Sequence, residues 1–375
     1  MRIANIIEEG RLGGPQVRIA NVACALKDRV QTTVILPEHK SEQFQSKLAQ
    51  CNIGFKLFNI TRITKELSMA IRYGLFSLFE IIQLTVYFRK QKFDLVHVSG
   101  GAWQYKGVIA GSLSGTKLVW HLNDTSMPKF FRFLFSLLSE LPDAYIFASE
   151  RTSQYYGNLI PENKKRFVVP APVDTQQFKP SDAVMARRLS ENGKITVGTT
   201  ANVNPIKGLE LFIEVSALLD TKFDNLQFVI VGAISENQQK YFQQLVKMAS
   251  QLGVSNLHFL GQVEDVRAEL VKMDIYLCTS VAESSPISVW EAMSMARPII
   301  STDVGDVAEY IEPGVSGEII SDRDADKMTE YVSRLIEQPA LRESYGLAAR
   351  DIAIKHLDIA LCAERHFAAY NAVIN

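Results

Sequence analysis

Two successive series of short apolar runs, each alternating with stretches of helical periodicity, constrain this chain more than any other feature of its sequence. In the first series, Ile3–Ile7, Thr33–Leu36, Leu95–Val98, Lys117–Trp120, Ala144–Phe147 and Phe167–Val169 read as parallel strands. Strands covered on both faces lose the polar alternation of half-exposed ones, so they appear as nearly continuous apolar runs. Ile19, Val22, Ala23 and Leu26, spaced i, i+3, i+4 and i+7, mark one face of an intervening helix. The second series is Ile195–Gly198, Gln227–Val231, Leu257–Leu260, Ile275–Cys278, Pro298–Ser301 and Glu318–Ile320. Such alternation builds doubly wound α/β sheets. The Pro-rich segment Val169-Pro170-Ala171-Pro172 separates the series, and 375 residues suffice for two domains. The expected fold is therefore α/β, with two facing Rossmann-like doubly wound domains and a cleft between them. The expected division is 1–172 and 173–355, with a last helix at about 356–375 returning to the first domain. Ligands of open α/β sheets bind beyond the carboxyl ends of the strands, so chemistry is expected in the loops there.

Composition narrows the functional classes. The 47% hydrophobic and 22% charged fractions exclude a disordered tail or a coiled rod. Forty Lys plus Arg nearly cancel 41 Asp plus Glu, yet the residues up to Pro172 hold 22 basic against 13 acidic, a net of +9. The remainder carries −10. A basic half opposite an acidic half implies different partners for each. No secretory signal is visible in Met1-Arg2-Ile3-Ala4-Asn5-Ile6-Ile7-Glu8-Glu9. The apolar stretch from Leu67 to Phe88 is interrupted by Arg72 and Glu80, which suits a packed or interfacial helix better than a membrane span. Cys24, Cys51, Cys278 and Cys362 show no paired spacing and read as free thiols of a cytoplasmic protein.

Three loops carry candidate chemistry. After the first strand, Gly13-Gly14-Pro15 opens a helix, where backbone N–H groups and the helix dipole can meet an anion; a plain tight turn fits the glycines equally well. After Ile195–Gly198, the turn running to Lys207-Gly208 places a lysine that could neutralise a phosphate, although a solvated surface lysine has the same signature. The third segment is Ala282-Glu283-Ser284-Ser285-Pro286-Ile287-Ser288-Val289-Trp290-Glu291-Ala292-Met293. Pro286 suits the first turn of a helix and Ser284 or Ser285 its N-cap. Two carboxylates, Glu283 and Glu291, then flank a helix N-terminus. Carboxylates accept hydrogen bonds from sugar hydroxyls and a helix end holds phosphates, which outlines a nucleotide-sugar site.

At this point the sequence resembles a known family, the retaining glycosyltransferases of family 4, with the GT-B double-Rossmann fold. The resemblance lies in the E-x7-E pair Glu283 and Glu291, set among Phe259-Leu260-Gly261, Glu291-Ala292-Met293 and Pro298-Ile299-Ile300-Ser301-Thr302-Asp303-Val304-Gly305. Asp94-Leu95-Val96-His97-Val98, Ala148-Ser149-Glu150 and Val173-Asp174 with Phe178 also match, so it runs from Gly13 to about Gly317. It implies that Glu283 holds donor-sugar hydroxyls, Glu291 the ribose, and Lys207 the diphosphate. Pro286, Ile287 and Ser288 would line the donor site, Gly13 and Gly14 would close on the phosphates, and His121 would lie close to the donor sugar. With no evident nucleophile, the implied chemistry is retaining front-face transfer, without a cofactor or catalytic metal, from a UDP-sugar or GDP-sugar. Asp322-Arg323-Asp324 imitates a metal-binding D-x-D, but Asp324 or Asp326 reads better as a helix cap and first-turn charge. Two departures stand out. Asn202 occupies the position of the family's usual arginine, leaving Arg11, extra backbone donors or reduced activity as the alternatives. Gly305-Asp306 replaces Gly-Gly and brings a carboxylate close to the site.

The resemblance places donor in the second domain and acceptor in the first. The basic first half suits an anionic acceptor or membrane surface, not nucleic acid as a partner. Pro128-Lys129-Phe130-Phe131-Arg132-Phe133-Leu134-Phe135 and Tyr87-Phe88-Arg89-Lys90-Gln91-Lys92 combine aromatic and basic residues as interfacial helices do; core-facing aromatics with solvated cations fit as well. The expected function is hexose transfer to a glycan or lipid-linked sugar in polysaccharide biosynthesis, at the inner face of a membrane or free in the cytoplasm. The alternatives are a synthase acting on a small soluble acceptor such as a sugar phosphate, and a non-catalytic sugar-binding protein.

Overall fold

In the computed structural model, which describes residues 1–62, 67–180 and 193–375, the chain divides into two units. One comprises Met1–Ala171 with Ile359–Asn375, the other Pro172–Asp358. The first unit holds seven parallel strands: β1 (Arg2–Ile6), β2 (Gln31–Pro37), β3 (Gly54–Phe58), β4 (Leu95–Val98), β5 (Lys117–Leu122), β6 (Ala144–Phe147) and β7 (Lys165–Val168). Their order across the sheet is β3-β2-β1-β4-β5-β6-β7. Alternate residues of the central strands enter different cores, as the two-residue period of a strand requires. Leu95, Val119 and Ile146 pack with α1 (Gly14–Ala25) and the C-terminal helix α14 (Ile359–Ile374). Val96, Val98, Trp120 and Tyr145 face the opposite core with Leu84, Phe88, Val108 and Phe135. Those four come from α3 (Leu67–Gln91), α4 (Tyr105–Ser114) and α5 (Lys129–Leu138).

β3 lacks a buried apolar run because it is an edge strand whose first three residues are exposed. α2 (Glu42–Gln50) connects β2 to it, and α6 (Glu150–Tyr156) follows β6. Ser149 caps α6, accepting from the Thr152 amide.

The second unit holds six parallel strands, β8 (Ile195–Thr200), β9 (Leu226–Val231), β10 (Leu257–Gly261), β11 (Ile275–Cys278), β12 (Ile299–Thr302) and β13 (Gly317–Ile320), ordered β10-β9-β8-β11-β12-β13. All six coincide with the expected runs to within about two residues at either end. The crossovers include α7 (Leu209–Asp220), α8 (Gln239–Gln251), α9 (Val266–Lys272), α10 (Ile287–Ser294) and α11 (Val307–Tyr310). α12 (Ala325–Glu337) and α13 (Pro339–Ile352) complete the unit, and the π turn Ala353–Leu357 precedes α14. α7 buries Leu211, Phe212, Val215 and Leu219 against Met328, Val332 and Leu335 of α12 and the apolar side of the sheet. Each such fully buried aliphatic or aromatic side chain contributes on the order of 1.5–3 kcal/mol. Among the described residues, no helix is long and apolar enough to cross a membrane.

Candidate active site

Both sheets reverse their strand order once, between β1 and β4 in the first unit and between β8 and β11 in the second. Loops leaving the carboxyl ends of the two strands at such a reversal diverge to opposite faces and leave room for a ligand. In the second unit, those loops are the ones that carry Lys207 and Glu283.

The loop after β8 is built residue by residue to present Lys207. Asn204 caps the short turn Pro205–Lys207, its Oδ1 accepting from the Ile206 amide at 3.0 Å. Gly208 then adopts φ +55°, and a Cβ there would lie 2.4 Å from the Thr279 carbonyl oxygen, so the position needs glycine. The loop after β11 is fastened to it. The Val281 amide donates to the Ile206 carbonyl at 2.8 Å, and the Thr279 hydroxyl donates to the Lys207 carbonyl at 3.2 Å. This stitching brings Lys207 Nζ to 2.6 Å from Glu283 Oε1, while Ser280 Oγ donates to the same oxygen at 2.8 Å. Desolvation pulls the Lys207 ammonium down, but the charge and hydrogen bond of Glu283 outweigh it and the net displacement is upward. Lys207 therefore stays cationic across the physiological range.

Beyond Glu283 the local structure differs from the sequence expectation. Pro286, not a serine, occupies the N-cap of α10, and no side chain caps that helix. Ser285 instead donates to Asp306 Oδ2 at 2.9 Å and accepts from Trp290 Nε1 at 3.2 Å. Asp306 is buried in that contact, so the carboxylate expected close to the ligand is turned into the protein. Gly305, at φ +57°, makes the turn before it, where a Cβ would meet the Ser284 carbonyl oxygen at 2.5 Å. Ile287 and Ser288 form the first turn of α10, half buried, with the Ser288 hydroxyl bonded to Tyr276. Glu291 lies further along α10, also half buried. Exposed Asn202 accepts from the Ala233 amide at 2.9 Å, tying the β8 loop to the β9 loop. Asp324 accepts from the amides of Asp326 and Lys327 as the N-cap of α12, the role expected from its sequence.

In the first unit, Gly13 is the extended N-cap of α1 and Gly14 its first residue, both exposed and without a side-chain cap. His121 is the penultimate residue of β5, on the face of the sheet that carries α14. It lines a small recess with Asn5, Arg18, His97, Asn123, His366 and Tyr370. His97 and His121 stack with centroids 5.3 Å apart, and their Nε2 and Nδ1 atoms are 3.1 Å apart. Burial, and then the positive charge of Arg18, depress the imidazolium forms of all three histidines, that of His97 to about 3. Each is neutral at pH 7. Sequence reading singled out His121 alone. Its partners come from β1, α1, β4 and α14, and no local spacing unites them.

A pair of open parallel sheets with polar residues gathered where the strand order reverses defines a doubly wound, ligand-binding α/β protein. Residues 181–352 match the family described as Glycosyl transferases group 1, and residues 12–177 match Glycosyltransferase Family 4. The chain belongs to the family-4, group 1 glycosyltransferases, and its fold is GT-B. It is similar to the lipopolysaccharide core biosynthesis mannosyltransferase LpcC of Rhizobium leguminosarum, 26% identical over 62% of this chain and 64% of that one. It also resembles the N,N'-diacetylbacillosaminyl-diphospho-undecaprenol α-1,3-N-acetylgalactosaminyltransferase of Campylobacter jejuni, 25% identical over 64% of this chain and 63% of that one. The matches thus span under two thirds of the length of these relatives. Among solved structures, HepE of Anabaena in complex with UDP-glucose superposes with a TM-score of 0.83 at 20% identity, covering 99% of this chain and all of the other.

Proposed function

We propose that this chain is a retaining glycosyltransferase that moves a hexose from a UDP-sugar or GDP-sugar to a glycan or lipid-linked sugar. The observation that carries this reading is the Lys207–Glu283 pair, held by two stitched loops at the strand-order reversal of the second sheet. Transfer from a nucleotide sugar needs a cation where the diphosphate departs and acceptors for the sugar hydroxyls. On this reading Lys207 stabilises the leaving diphosphate, Glu283 holds the donor sugar, and Glu291 holds the ribose. The uncapped start of α10, at Ile287 and Ser288 after Pro286, takes phosphate oxygens. Gly13, Gly14 and His121 are assigned to the phosphates and donor sugar from the first unit. Retention would follow from front-face attack. The acceptor oxygen bonds to the anomeric carbon on the side from which the diphosphate leaves, and a phosphate oxygen takes the acceptor's proton. Such a step depends on positioning and electrostatics rather than a strong base, and no catalytic metal is invoked. Asn202 stands where the family usually has arginine, so Lys207 carries more of the neutralisation. The test is release of UDP or GDP from a panel of nucleotide sugars, with and without acceptor extracts, followed by the anomeric configuration of the product. A panel without turnover, or an inverted product, contradicts it.

Lipid-linked rather than small soluble acceptors are favoured by one surface. On α3, Leu75, Leu78, Phe79, Ile82 and Val86 are 73, 70, 60, 53 and 57% exposed, spaced so that they form one continuous helix face. Ile81, Leu84 and Phe88 bury the opposite face. Exposed Arg89, Lys90 and Lys92 follow, and Glu80 is buried against Lys106. α5, packed on the same sheet face, presents Phe133 and Leu137 beside exposed Lys129 and Arg132. An apolar face edged by cations fits the surface of an anionic bilayer, whereas a second copy of the chain would bring cations against cations.

A further inference from the structure

We propose that Tyr370, on the C-terminal helix α14, is a positioning residue that fixes the proton of His121 on Nε2 by way of His97. The Tyr370 hydroxyl finds one acceptor among the described residues, His97 Nδ1 at 2.8 Å, and Asn5 Nδ2 faces the same ring nitrogen at 3.3 Å. The Asn5 amide nitrogen can only donate, and the phenol can donate to the same atom, so on this geometry His97 Nδ1 is the unprotonated nitrogen of a neutral ring. Its proton then resides on Nε2, which donates to His121 Nδ1 at 3.1 Å. A neutral imidazole that accepts at one nitrogen carries its proton on the other. His121 therefore presents Nε2–H, and that nitrogen, buried with the ring, has no hydrogen-bond partner among the described residues. It lines the recess beside Asn123, at the carboxyl end of β5.

The arrangement makes His121 an obligate hydrogen-bond donor and not a base. It also gives the returning helix a chemical task beyond covering the sheet. His366, one turn before Tyr370, has its own proton assigned separately, since its Nδ1 lies 2.9 Å from the Cys362 carbonyl and can only donate there. The donated Nε2–H would meet a sugar oxygen. That consequence depends on the proposed contact between His121 and the donor, whereas the tautomer does not.

The experiment is ¹⁵N NMR of the imidazole rings, whose two-bond proton correlations report which nitrogen bears the proton. The protein has six histidines, and the signal lost in His121→Asn assigns the one of interest. His121 should be a pure Nε2–H tautomer in the unsubstituted protein and a mixture in Tyr370→Phe, while His366 stays on Nδ1 in both. A proton on Nδ1 of His121 overturns the proposal, as does an unaltered tautomer in Tyr370→Phe. The first measurement needs no variant, so misfolding of Tyr370→Phe would not shelter the idea. Release of UDP from UDP-glucose, or of GDP from GDP-mannose, should fall roughly tenfold in kcat/KM for Tyr370→Phe, the worth of about one hydrogen bond. A changed tautomer with unchanged turnover would keep the relay and remove His121 from the sugar contact.

Discussion

At the residue scale, backbone geometry and buried charge decide more than side-chain identity at the surface. Gly208 must supply a left-handed turn in a place with no space for a Cβ. Gly208→Ala is therefore expected to lose about 1–3 kcal/mol in denaturant unfolding and to impair donor turnover by shifting Lys207. Asn204→Ala, by contrast, loses only a cap on a three-residue turn. A second prediction concerns Glu8, just past β1. It accepts from the Lys106 amide at 3.0 Å and shares a buried cluster with Lys106, Glu80 and Tyr73. Two carboxylates compete there for one ammonium. Burial, only partly offset by Lys106 and two backbone amides, raises the Glu8 pKa to about 7 from 4.5. The folded state then holds a proton that the unfolded state releases between those values. Stability from this group is fully present below about pH 4.5 and is lost as pH rises through 7, by up to roughly 3 kcal/mol. Glu8→Gln should flatten that part of the stability-versus-pH curve and raise stability at pH 8. An unchanged curve would place the proton elsewhere in the cluster.

At the element scale, legibility followed burial. The central strands of the second sheet were visible in the sequence because parallel strands covered on both faces read as nearly continuous apolar runs, as Ile275–Cys278 illustrates. β3 was not, because an edge strand with exposed Gly54, Phe55 and Lys56 has no such run. The N-cap of α10 was misread for a different reason. Ser285 is a good capping residue by type, but its hydroxyl is engaged by Trp290 and by Asp306, and the second contact depends on a residue distant along the chain. Lys207, Glu283 and Glu291 were legible as loop and helix residues after strands, whereas the histidine relay required four elements to converge. The α3 face was legible only as an interrupted apolar stretch, and its exposure is a tertiary fact. Replacing Leu78 and Ile82 together by Glu should abolish flotation with anionic vesicles at low salt while leaving UDP or GDP release in detergent-free buffer unchanged. Equal flotation of the double variant and the unsubstituted protein would exclude this face as the contact.

At the scale of the whole molecule, the unequal construction of the two units has consequences. The second unit is one continuous segment, Pro172–Asp358, whereas the first is closed by a helix from the far end of the chain. α14 covers Leu95, Val119 and Ile146 with Cys362, Ala363, Ala369 and Val373. Residues 172–358 expressed alone should fold and bind UDP or GDP, detectable by calorimetry. Residues 1–171 alone should not fold cooperatively, because that face of the sheet would be open to water. Two folded fragments of equal stability would contradict the role assigned to α14. The charge division, basic up to Pro172 and acidic beyond, matches the proposed split between an anionic acceptor or lipid surface and a donor whose phosphates are met by Lys207 and a helix start rather than by net charge. The central claim is that the Lys207–Glu283 pair holds and activates the nucleotide sugar. Its most direct test is steady-state release of UDP or GDP, from whichever donor the protein turns over, by Glu283→Gln beside the unsubstituted protein. The account predicts a loss of roughly 10²–10³ in kcat/KM with an unchanged unfolding midpoint, and turnover equal to that of the unsubstituted protein would contradict it.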